Sequence, residues 1–186
     1  MGDLNKIKSI MSNKYEFKGR VLYYKHREFV LYRFKSGSVG AEIGVYAGDF
    51  AKRMVSIVKP KELYLIDPWD SEHIFFCFLQ NYIHNLKERG TKINAIKSTV
   101  EDAYSDNRIE SDYFDWVYLD TNHDYESMTR QLVICQNIVK KNGLITGDDY
   151  DPPHWPGVVR AVDEYALQNN LDVEIKNRQF IMENKK

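Results

Sequence analysis

The chain of 186 residues is long enough for one domain and short for two. Its 26 basic and 27 acidic residues nearly cancel and 43% of its residues are hydrophobic, which excludes a disordered chain and a nucleic-acid binder that relies on a strongly basic body. No apolar run reaches the roughly 20 residues that span a bilayer, and the polar N-terminus lacks the apolar segment of a signal peptide. We therefore expect a cytoplasmic protein without membrane or nucleic-acid partners.

Short apolar runs alternate with helical patterns along most of the chain. Residues 1–36 are predicted to form a polar, aromatic-rich helical prelude, in which REFVLYRF has helical spacing. The remaining residues, 37–186, begin with the strand VGAEIGV, the helix AGDFAKRMVSIV and the strand ELYLID, followed by the helix HIFFCFLQNYIHNLKERG and the strand INAIKS. No linker interrupts the sequence, so we predict a single domain over residues 1–186.

The second half continues this alternation. A polar stretch precedes the strand FDWVYLD, the helix YESMTRQLVICQNIVKKNG, the strand GLITGDD and the helix GVVRAVDEYALQNN, and the chain ends in the adjacent strands LDVEIKN and RQFIMEN. Strands separated by crossover helices pair in parallel, and continuous apolar runs such as LYLI suit strands covered on both faces. The sequence thus predicts a doubly wound, mostly parallel seven-stranded α/β sheet with a C-terminal antiparallel hairpin.

Two features at the ends of the first two strands predict a ligand site, because open α/β sheets bind ligands beyond the carboxyl ends of their strands. The first strand ends in EIGVYAG at residues 42–48, where Gly44 and Gly48 let the backbone approach a ligand closely. Asp67 ends the second strand, where a carboxylate can accept both hydroxyls of a ribose. The alternatives are a tight turn without a ligand and an aspartate that interacts with the following helix.

These motifs resemble the class I S-adenosylmethionine-dependent methyltransferases, from about residue 39 to the end of the chain. The resemblance implies S-adenosylmethionine as the cofactor, with the glycine turn on its methionine end, Asp67 on the ribose and the residues after the third strand near the adenine. Trp69 is a candidate for stacking on the cofactor, and a place in the core is the alternative. The cofactor-binding residues so predicted are Glu42, Gly44, Val45, Tyr46, Gly48, Asp67, Trp69, Ser98, Thr99, Val100 and Asp120.

The segment LDTNHDYESMTRQLVICQNIVKKNGLITGDDY is similar to the small-molecule O-methyltransferases of the macrolide sugar type. Their pattern is approximately I-D-G-x-H-x-Y-E-x-V, then D-L, then G-G-x-I-x-G-x-D-Y. Three positions depart from it: Thr121 replaces a glycine, Gln131 an acidic residue and Asn142 the first glycine of the pair. The resemblance implies methyl transfer to a hydroxyl of a small-molecule acceptor such as a sugar or polyol.

Three carboxylates are expected to meet at the ends of the fourth and fifth strands. Asp120 ends the fourth and Asp148 and Asp149 end the fifth, and neighbouring parallel strands are only about 4.8 Å apart. Like charges at this range repel unless a cation joins them, and oxygen ligands favour Mg²⁺, Mn²⁺ or Ca²⁺. We therefore predict a divalent metal site at Asp120, Asp148 and Asp149, with an Asp149 that caps the following loop as the alternative.

His123 is the predicted general base. It follows Asp120 by three residues, and an unperturbed imidazole titrates near neutrality, which suits proton removal from a hydroxyl. A helix-capping or metal-supporting histidine is the alternative. His154 and Trp155, in the loop DPPHWPG, are expected to form part of an acceptor wall.

Two other functions remain open at this point. One is an S-adenosylmethionine-binding module without catalysis, and the other is a metal-dependent enzyme of hydroxylase type on the same fold. The acceptor pocket would be shaped by the prelude and loops, whose sequences do not specify a ligand. The sequence also leaves the oligomeric state open, with a homodimer among the possibilities.

Overall fold

The computed structural model describes residues 27–82 and 90–186. Residues 1–26 of the predicted prelude lie outside these ranges, and the rest of the prelude contains a 3₁₀ helix over Glu28–Arg33. The end of the helix predicted over HIFFCFLQNYIHNLKERG also lies outside them. Within the two ranges, no helix is both long enough and apolar enough to cross a membrane.

The described chain forms one seven-stranded sheet with helices on both faces. The strands are β1 Val39–Ile43, β2 Glu62–Asp67, β3 Lys92–Lys97, β4 Phe114–Leu119, β5 Val139–Gly147, β6 Val173–Lys176 and β7 Gln179–Glu183. The α-helices are α1 Asp49–Ile57, α2 Glu72–Asn81, α3 Val100–Ser105, α4 Tyr125–Ile138 and α5 Pro156–Gln168. The strand order is β3-β2-β1-β4-β5-β7-β6, in which β7 alone runs antiparallel to its neighbours β5 and β6. The predicted doubly wound sheet with a C-terminal hairpin is confirmed.

Two hydrophobic layers cover the two faces of the sheet. Alternate residues of β2 show the division, because Leu63 and Leu65 pack in one layer and Ile66 in the other. The first layer contains the 3₁₀ helix, α1 and α2, and the second contains α3, α4 and α5. Burial on both faces explains why the parallel strands read as continuous apolar runs rather than as alternating patterns.

The boundary between α4 and β5 differs from the prediction. The helix was expected to continue through Asn142, but it ends at Ile138 and Val139 already begins β5. The side chain of Asn184 donates hydrogen bonds to the carbonyls of Gln136 (3.0 Å) and Val139 (2.8 Å), which satisfies backbone groups left open at the helix end. A residue 45 positions away therefore ends the helix, and no local pattern indicates this.

Asn142 adopts a left-handed φ of 63°, and its amide donates to the Asn184 carbonyl at 2.7 Å. Asparagine is among the residues that tolerate this conformation best after glycine, so it can replace the glycine that the family pattern has at this position.

The helix α3 lies in a segment that the sequence analysis described only as a polar stretch. The helix begins at the cap Thr99, whose Oγ1 accepts a hydrogen bond from the Asp102 amide at 3.1 Å.

The strand order reverses between β1 and β4. The chain leaves β1 toward β2 on one side and leaves β4 toward β5 on the other, so the two following loops diverge. Such a reversal opens a crevice at the carboxyl ends of the strands. The candidate site lies there.

Candidate active site

A cavity of about 670 Å³ opens at the carboxyl ends of the central strands, a volume that suits a ligand of cofactor size. Most of the predicted cofactor residues and the predicted base line it. They are Glu42, Gly44, Val45, Tyr46, Asp67, Ser98, Thr99, Val100, Asp120 and His123. The structure thus brings together in one place residues that come from four different strand ends.

The glycine turn after β1 packs directly against the end of β4. Gly44 has a left-handed φ of 87°, and a Cβ atom there would lie 1.9 Å from the Asp120 carbonyl oxygen, so no other residue fits. Asp67 holds the turn, since its Oδ2 accepts from the amides of Val45 (2.8 Å) and Tyr46 (2.9 Å). Gly48 precedes α1 with a φ of 80° and lies outside the cavity lining.

Glu42 presents an unsatisfied acceptor at this cavity. Its side chain is buried, and its Oε2 has no hydrogen-bond partner among the described residues. Burial, reinforced by the negative charge of Asp120, raises the pKa of Glu42 well above its usual value. A ligand that carries a positive charge or N–H donors would satisfy this carboxyl group, and the methionine end of S-adenosylmethionine carries both. The site therefore fits the predicted cofactor.

The residues after β3 form the cavity wall next to Asp67. The Ser98 amide donates to the Asp67 carbonyl at 3.0 Å, Thr99 caps α3, and Val100 is buried at the start of that helix. Their position beyond the carboxyl end of β3 agrees with the predicted proximity to an adenine, which stays a prediction.

The three predicted metal ligands do not form one set. Asp148 and Asp120 are joined by the guanidinium of Arg27, with 2.9 Å between Arg27 Nε and Asp148 Oδ2 and a direct contact between Arg27 Nη2 and Asp120 Oδ2. Burial raises the pKa of Asp148 to about 6, so the carboxylate is ionised at neutral pH and pairs with Arg27 as an anion. The predicted role of Asp148 is therefore corrected: this side chain binds an arginine of the prelude.

Asp149 belongs to a different arrangement, which we call the His123–Asp149 dyad. The His123 Nε2 and Asp149 Oδ2 atoms lie 2.7 Å apart, and Arg178 Nη2 donates to Asp149 Oδ1 at 3.0 Å. The His123 ring stacks on Trp155, with 3.9 Å between ring centroids and 20° between the planes. His123 is thus fixed in both position and orientation.

One oxygen of Asp120, one of Asp149 and one ring nitrogen of His123 lie within 4.8 Å of one another, a spacing that could hold a metal ion. Each of the three already has a partner in the protein. Asp120 contacts Arg27, and His123 and Asp149 contact each other. An ion at this position would have to compete with a guanidinium and with the contact between His123 and Asp149, so the side chains as placed do not fit a bound metal.

Comparison with known proteins gives the family. Residues 41–150, which include the glycine turn and the dyad, match a family model described as a methyltransferase domain. The chain belongs to this methyltransferase family. A search of curated proteins found no significant match to its sequence.

Solved structures share the fold of this methyltransferase at low sequence identity. An O-methyltransferase from Bacillus cereus in complex with SAH has a TM-score of 0.64 and 13% identity, over 89% of this chain and 81% of that one. The N-methyltransferase NodS from Bradyrhizobium japonicum has a TM-score of 0.58 and 14% identity, over 94% and 99%. TYW2 from M. jannaschii in complex with AdoMet has a TM-score of 0.55 and 15% identity, over 87% and 73%. Because O- and N-methyltransferases both share this fold, the fold alone does not specify the acceptor.

Trp69 does not stack on a ligand as the sequence analysis expected. Its side chain is 2% exposed and stacks on Phe78 with 4.3 Å between ring centroids, and its Nε1 donates to the Tyr46 carbonyl at 2.8 Å. The ring lies outside the cavity lining. Trp69 therefore belongs to the core of the methyltransferase, where it supports the glycine turn from behind.

The loop DPPHWPG supports the dyad. Trp155 stacks on His123, and a Cβ at Gly157 would lie 2.8 Å from the His123 carbonyl oxygen, so the start of α5 approaches the His123 loop closely. His154 points elsewhere: its side chain is 70% exposed and its Nδ1 lies 2.9 Å from Asp151 Oδ2. Neither His154 nor Trp155 lines the cavity, so their predicted contact with an acceptor stays a prediction.

Sequence reasoning missed two arginines of the site. Arg27 was assigned to a prelude without a functional role, and Arg178 lies in the turn of the C-terminal hairpin, where nothing in its neighbours indicates a site.

Thr121 and Gln131, which depart from the family pattern, contact each other in the structure. Thr121 Oγ1 donates to Gln131 Oε1, whose Nε2 donates to Glu101 Oε1 at 3.3 Å, so the two departures from the family pattern form one hydrogen-bonded pair.

Replacing Glu42 with glutamine should remove a pH-dependent loss of stability. The unfolded chain ionises Glu42 above about pH 4.5, whereas the folded chain keeps it protonated to higher pH, so stability falls as pH rises through this window. Each pH unit within it costs about 1.4 kcal/mol, or about 3–5 °C in Tm for a chain of this size. Thermal unfolding of Glu42→Gln and wild type should therefore diverge from pH 4.5 upward. A difference in Tm that is constant with pH would contradict this.

Proposed function

We propose that this methyltransferase transfers the methyl group of S-adenosylmethionine to a hydroxyl of a small-molecule acceptor of the sugar or polyol class. The observation that carries the proposal is the His123–Asp149 dyad at the cavity that Glu42, Gly44 and Asp67 line. The cofactor would supply an electrophilic methyl group on a sulfonium. The protein would supply binding, orientation and removal of one proton.

His123 would accept that proton. With the Nε2 proton directed at Asp149, the lone pair lies on Nδ1, which makes no hydrogen bond among the described residues. An acceptor hydroxyl positioned at Nδ1 could lose its proton as its oxygen bonds to the methyl carbon and the bond from that carbon to sulfur breaks. Asp149 would stabilise the resulting imidazolium, and Arg178 would hold Asp149 in place.

The dyad favours an aliphatic hydroxyl over a phenolic one. A phenol has a pKa of about 10 and loses its proton with little assistance. An aliphatic hydroxyl is far less acidic, so its attack on a methyl group benefits strongly from an oriented base. His123 is oriented by Asp149 and by the stacked ring of Trp155. A phenolic acceptor does not require a base oriented in this way, so the arrangement supports a sugar-like acceptor.

The second candidate is the same methyl transfer with assistance from Mg²⁺, Mn²⁺ or Ca²⁺. It rests on the spacing of Asp120, His123 and Asp149, and it would require these side chains to exchange their present partners for the ion. In that case His123 would be a metal ligand rather than the general base. The two candidates therefore assign different roles to the same side chain.

Incubation with S-adenosylmethionine labelled in its methyl group and a panel of small hydroxyl compounds tests the proposal. We expect label in a sugar or polyol and formation of S-adenosylhomocysteine, with activity that survives a chelator. Cofactor binding without label transfer across the panel would favour the non-catalytic module. Oxygen-dependent conversion without methyl transfer would favour the hydroxylase alternative.

A further inference from the structure

The prelude contributes a buried cation to the candidate active site. Arg27 is 5% exposed and lines the same cavity as Asp120 and His123, although it precedes the whole sheet in sequence. Its guanidinium contacts the carboxylates of Asp120 and Asp148, the two that end the adjacent strands β4 and β5. A planar guanidinium can bridge two carboxylates in this way because its N–H donors point in different directions.

Aromatic groups fix the same guanidinium from its other sides. Its carbon lies 4.5 Å from the ring centroid of Phe50, and its Nε donates to the Tyr118 hydroxyl at 3.0 Å. That hydroxyl also accepts from Gln179 Nε2 at 2.7 Å, so it is held in turn by β7. Burial opposes the charge of Arg27, but Tyr118, Asp120 and Asp148 raise its pKa, and the group stays cationic.

The segment that carries Arg27 is anchored to the domain. Glu28 forms an ion pair with Arg53 of α1, and Val30 and Leu31 are fully buried in the layer that covers one face of the sheet. Phe34 stacks on Trp116 of β4 with 4.0 Å between ring centroids. Arg27 is therefore held in the site by the same packing that closes this layer.

Two arginines offset most of the carboxylate charge of the site without a metal ion. The sequence predicts a metal because three carboxylates would otherwise repel one another. In the structure Asp120 and Asp148 share the single positive charge of Arg27, and Arg178 contacts Asp149. A divalent cation could bind Asp120 and Asp148 only by displacing the Arg27 guanidinium. That guanidinium is already buried and hydrogen-bonded, so the exchange would gain little binding free energy.

We propose that Arg27 is the resident cation of this site. Its guanidinium binds Asp120 and Asp148, where the sequence predicts a divalent metal, and thereby excludes Mg²⁺ and Mn²⁺ from the site. The proposal concerns ion binding by the folded protein and does not rest on methyl transfer. It assigns the cation of this site to the prelude.

Mn²⁺ binding measured by electron paramagnetic resonance tests the proposal directly, because bound Mn²⁺ loses the signal of the free ion. We expect no site-specific binding to the wild type at millimolar Mn²⁺. Arg27→Gln should bind one Mn²⁺ at least about 10-fold more tightly and should gain thermal stability when Mn²⁺ is added. The control Arg33→Gln removes an exposed arginine at the end of the 3₁₀ helix that follows Arg27. Arg33 pairs with Glu174, and the variant should behave as the wild type.

Two outcomes would overturn the proposal. One is micromolar Mn²⁺ binding by the wild type that Asp149→Asn abolishes, and the other is an Arg27→Gln variant whose Mn²⁺ affinity equals that of the wild type. If Arg27→Gln fails to fold, the double variant Arg27→Gln/Asp148→Asn is used instead. It removes the charge of one of the two carboxylates that lose Arg27 as a partner, and it keeps the cluster of Asp120, His123 and Asp149. The same gain in Mn²⁺ affinity is expected for it, and its absence there would equally overturn the proposal.

Discussion

Replacing His123 with alanine should lower turnover by about 10²- to 10⁴-fold, the usual contribution of a general base. Cofactor affinity should change little, because the contacts that hold the glycine turn come from Asp67 and not from His123. Asp149→Asn should reduce turnover in the same direction, since an amide cannot stabilise the imidazolium. Steady-state rates with an identified acceptor, combined with calorimetry of cofactor binding, measure both effects.

His154→Ala is the matched control. His154 also pairs with an aspartate, Asp151, but its side chain is largely exposed and lies outside the cavity lining. We expect close to wild-type turnover from this variant. A large loss in His154→Ala with nearly normal rates in His123→Ala would transfer the base to the DPPHWPG loop and remove the proposed mechanism.

Gly44→Ala should be the most destabilising single methyl addition in the site. The new Cβ would lie 1.9 Å from the Asp120 carbonyl oxygen, a backbone atom that cannot move away without shifting β4. The left-handed φ adds a penalty of about 1–2 kcal/mol, and overpacking adds about 1–3 kcal/mol. We expect the free energy of unfolding to fall by about 3 kcal/mol or more, together with loss of cofactor binding.

Gly37→Ala separates the two causes. Gly37 has a similar φ of 73°, but a Cβ there meets nothing within 4 Å. Only the conformational penalty should therefore remain, about 1–2 kcal/mol. Urea unfolding of both variants measures the difference, and equal losses would show that the contact between Gly44 and Asp120 has no energetic weight.

The fold could be predicted from the sequence because each strand and helix is indicated by its own short stretch of residues. Apolar runs such as LYLI and WVYL are short and continuous, and turn residues separate them from helical patterns, so β2 and β4 are recognisable without any knowledge of their neighbours. The same holds for EIGVYAG, in which the spacing of Gly44 and Gly48 reflects the turn that both residues form. Their positive φ angles confirm that backbone geometry fixes these residues.

Features set by distant contacts could not be predicted. The end of α4 depends on Asn184, and the partner of Asp148 is Arg27, more than 100 residues earlier in the chain. The carboxylates at the ends of β4 and β5 do need a cation to offset their repulsion. The sequence could not show that Arg27 supplies it, because the position of Arg27 follows from the packing of Val30, Leu31 and Phe34 against the sheet. The burial of Trp69 also follows from tertiary packing, since its ring stacks on Phe78 of α2, and it agrees with the core placement that the sequence left as the alternative.

Calorimetric titration with S-adenosylmethionine, S-adenosylhomocysteine and NAD tests the central claim most directly. We predict that both adenosyl compounds bind with a stoichiometry of one and that NAD does not. A compound present at 100 times its Kd should add about 2.7 kcal/mol of stability, or about 5–10 °C in Tm for a chain of this size, which thermal unfolding can check independently. Binding of NAD, with no binding of either adenosyl compound at millimolar concentration, would contradict the assignment of this cavity to a methyl donor.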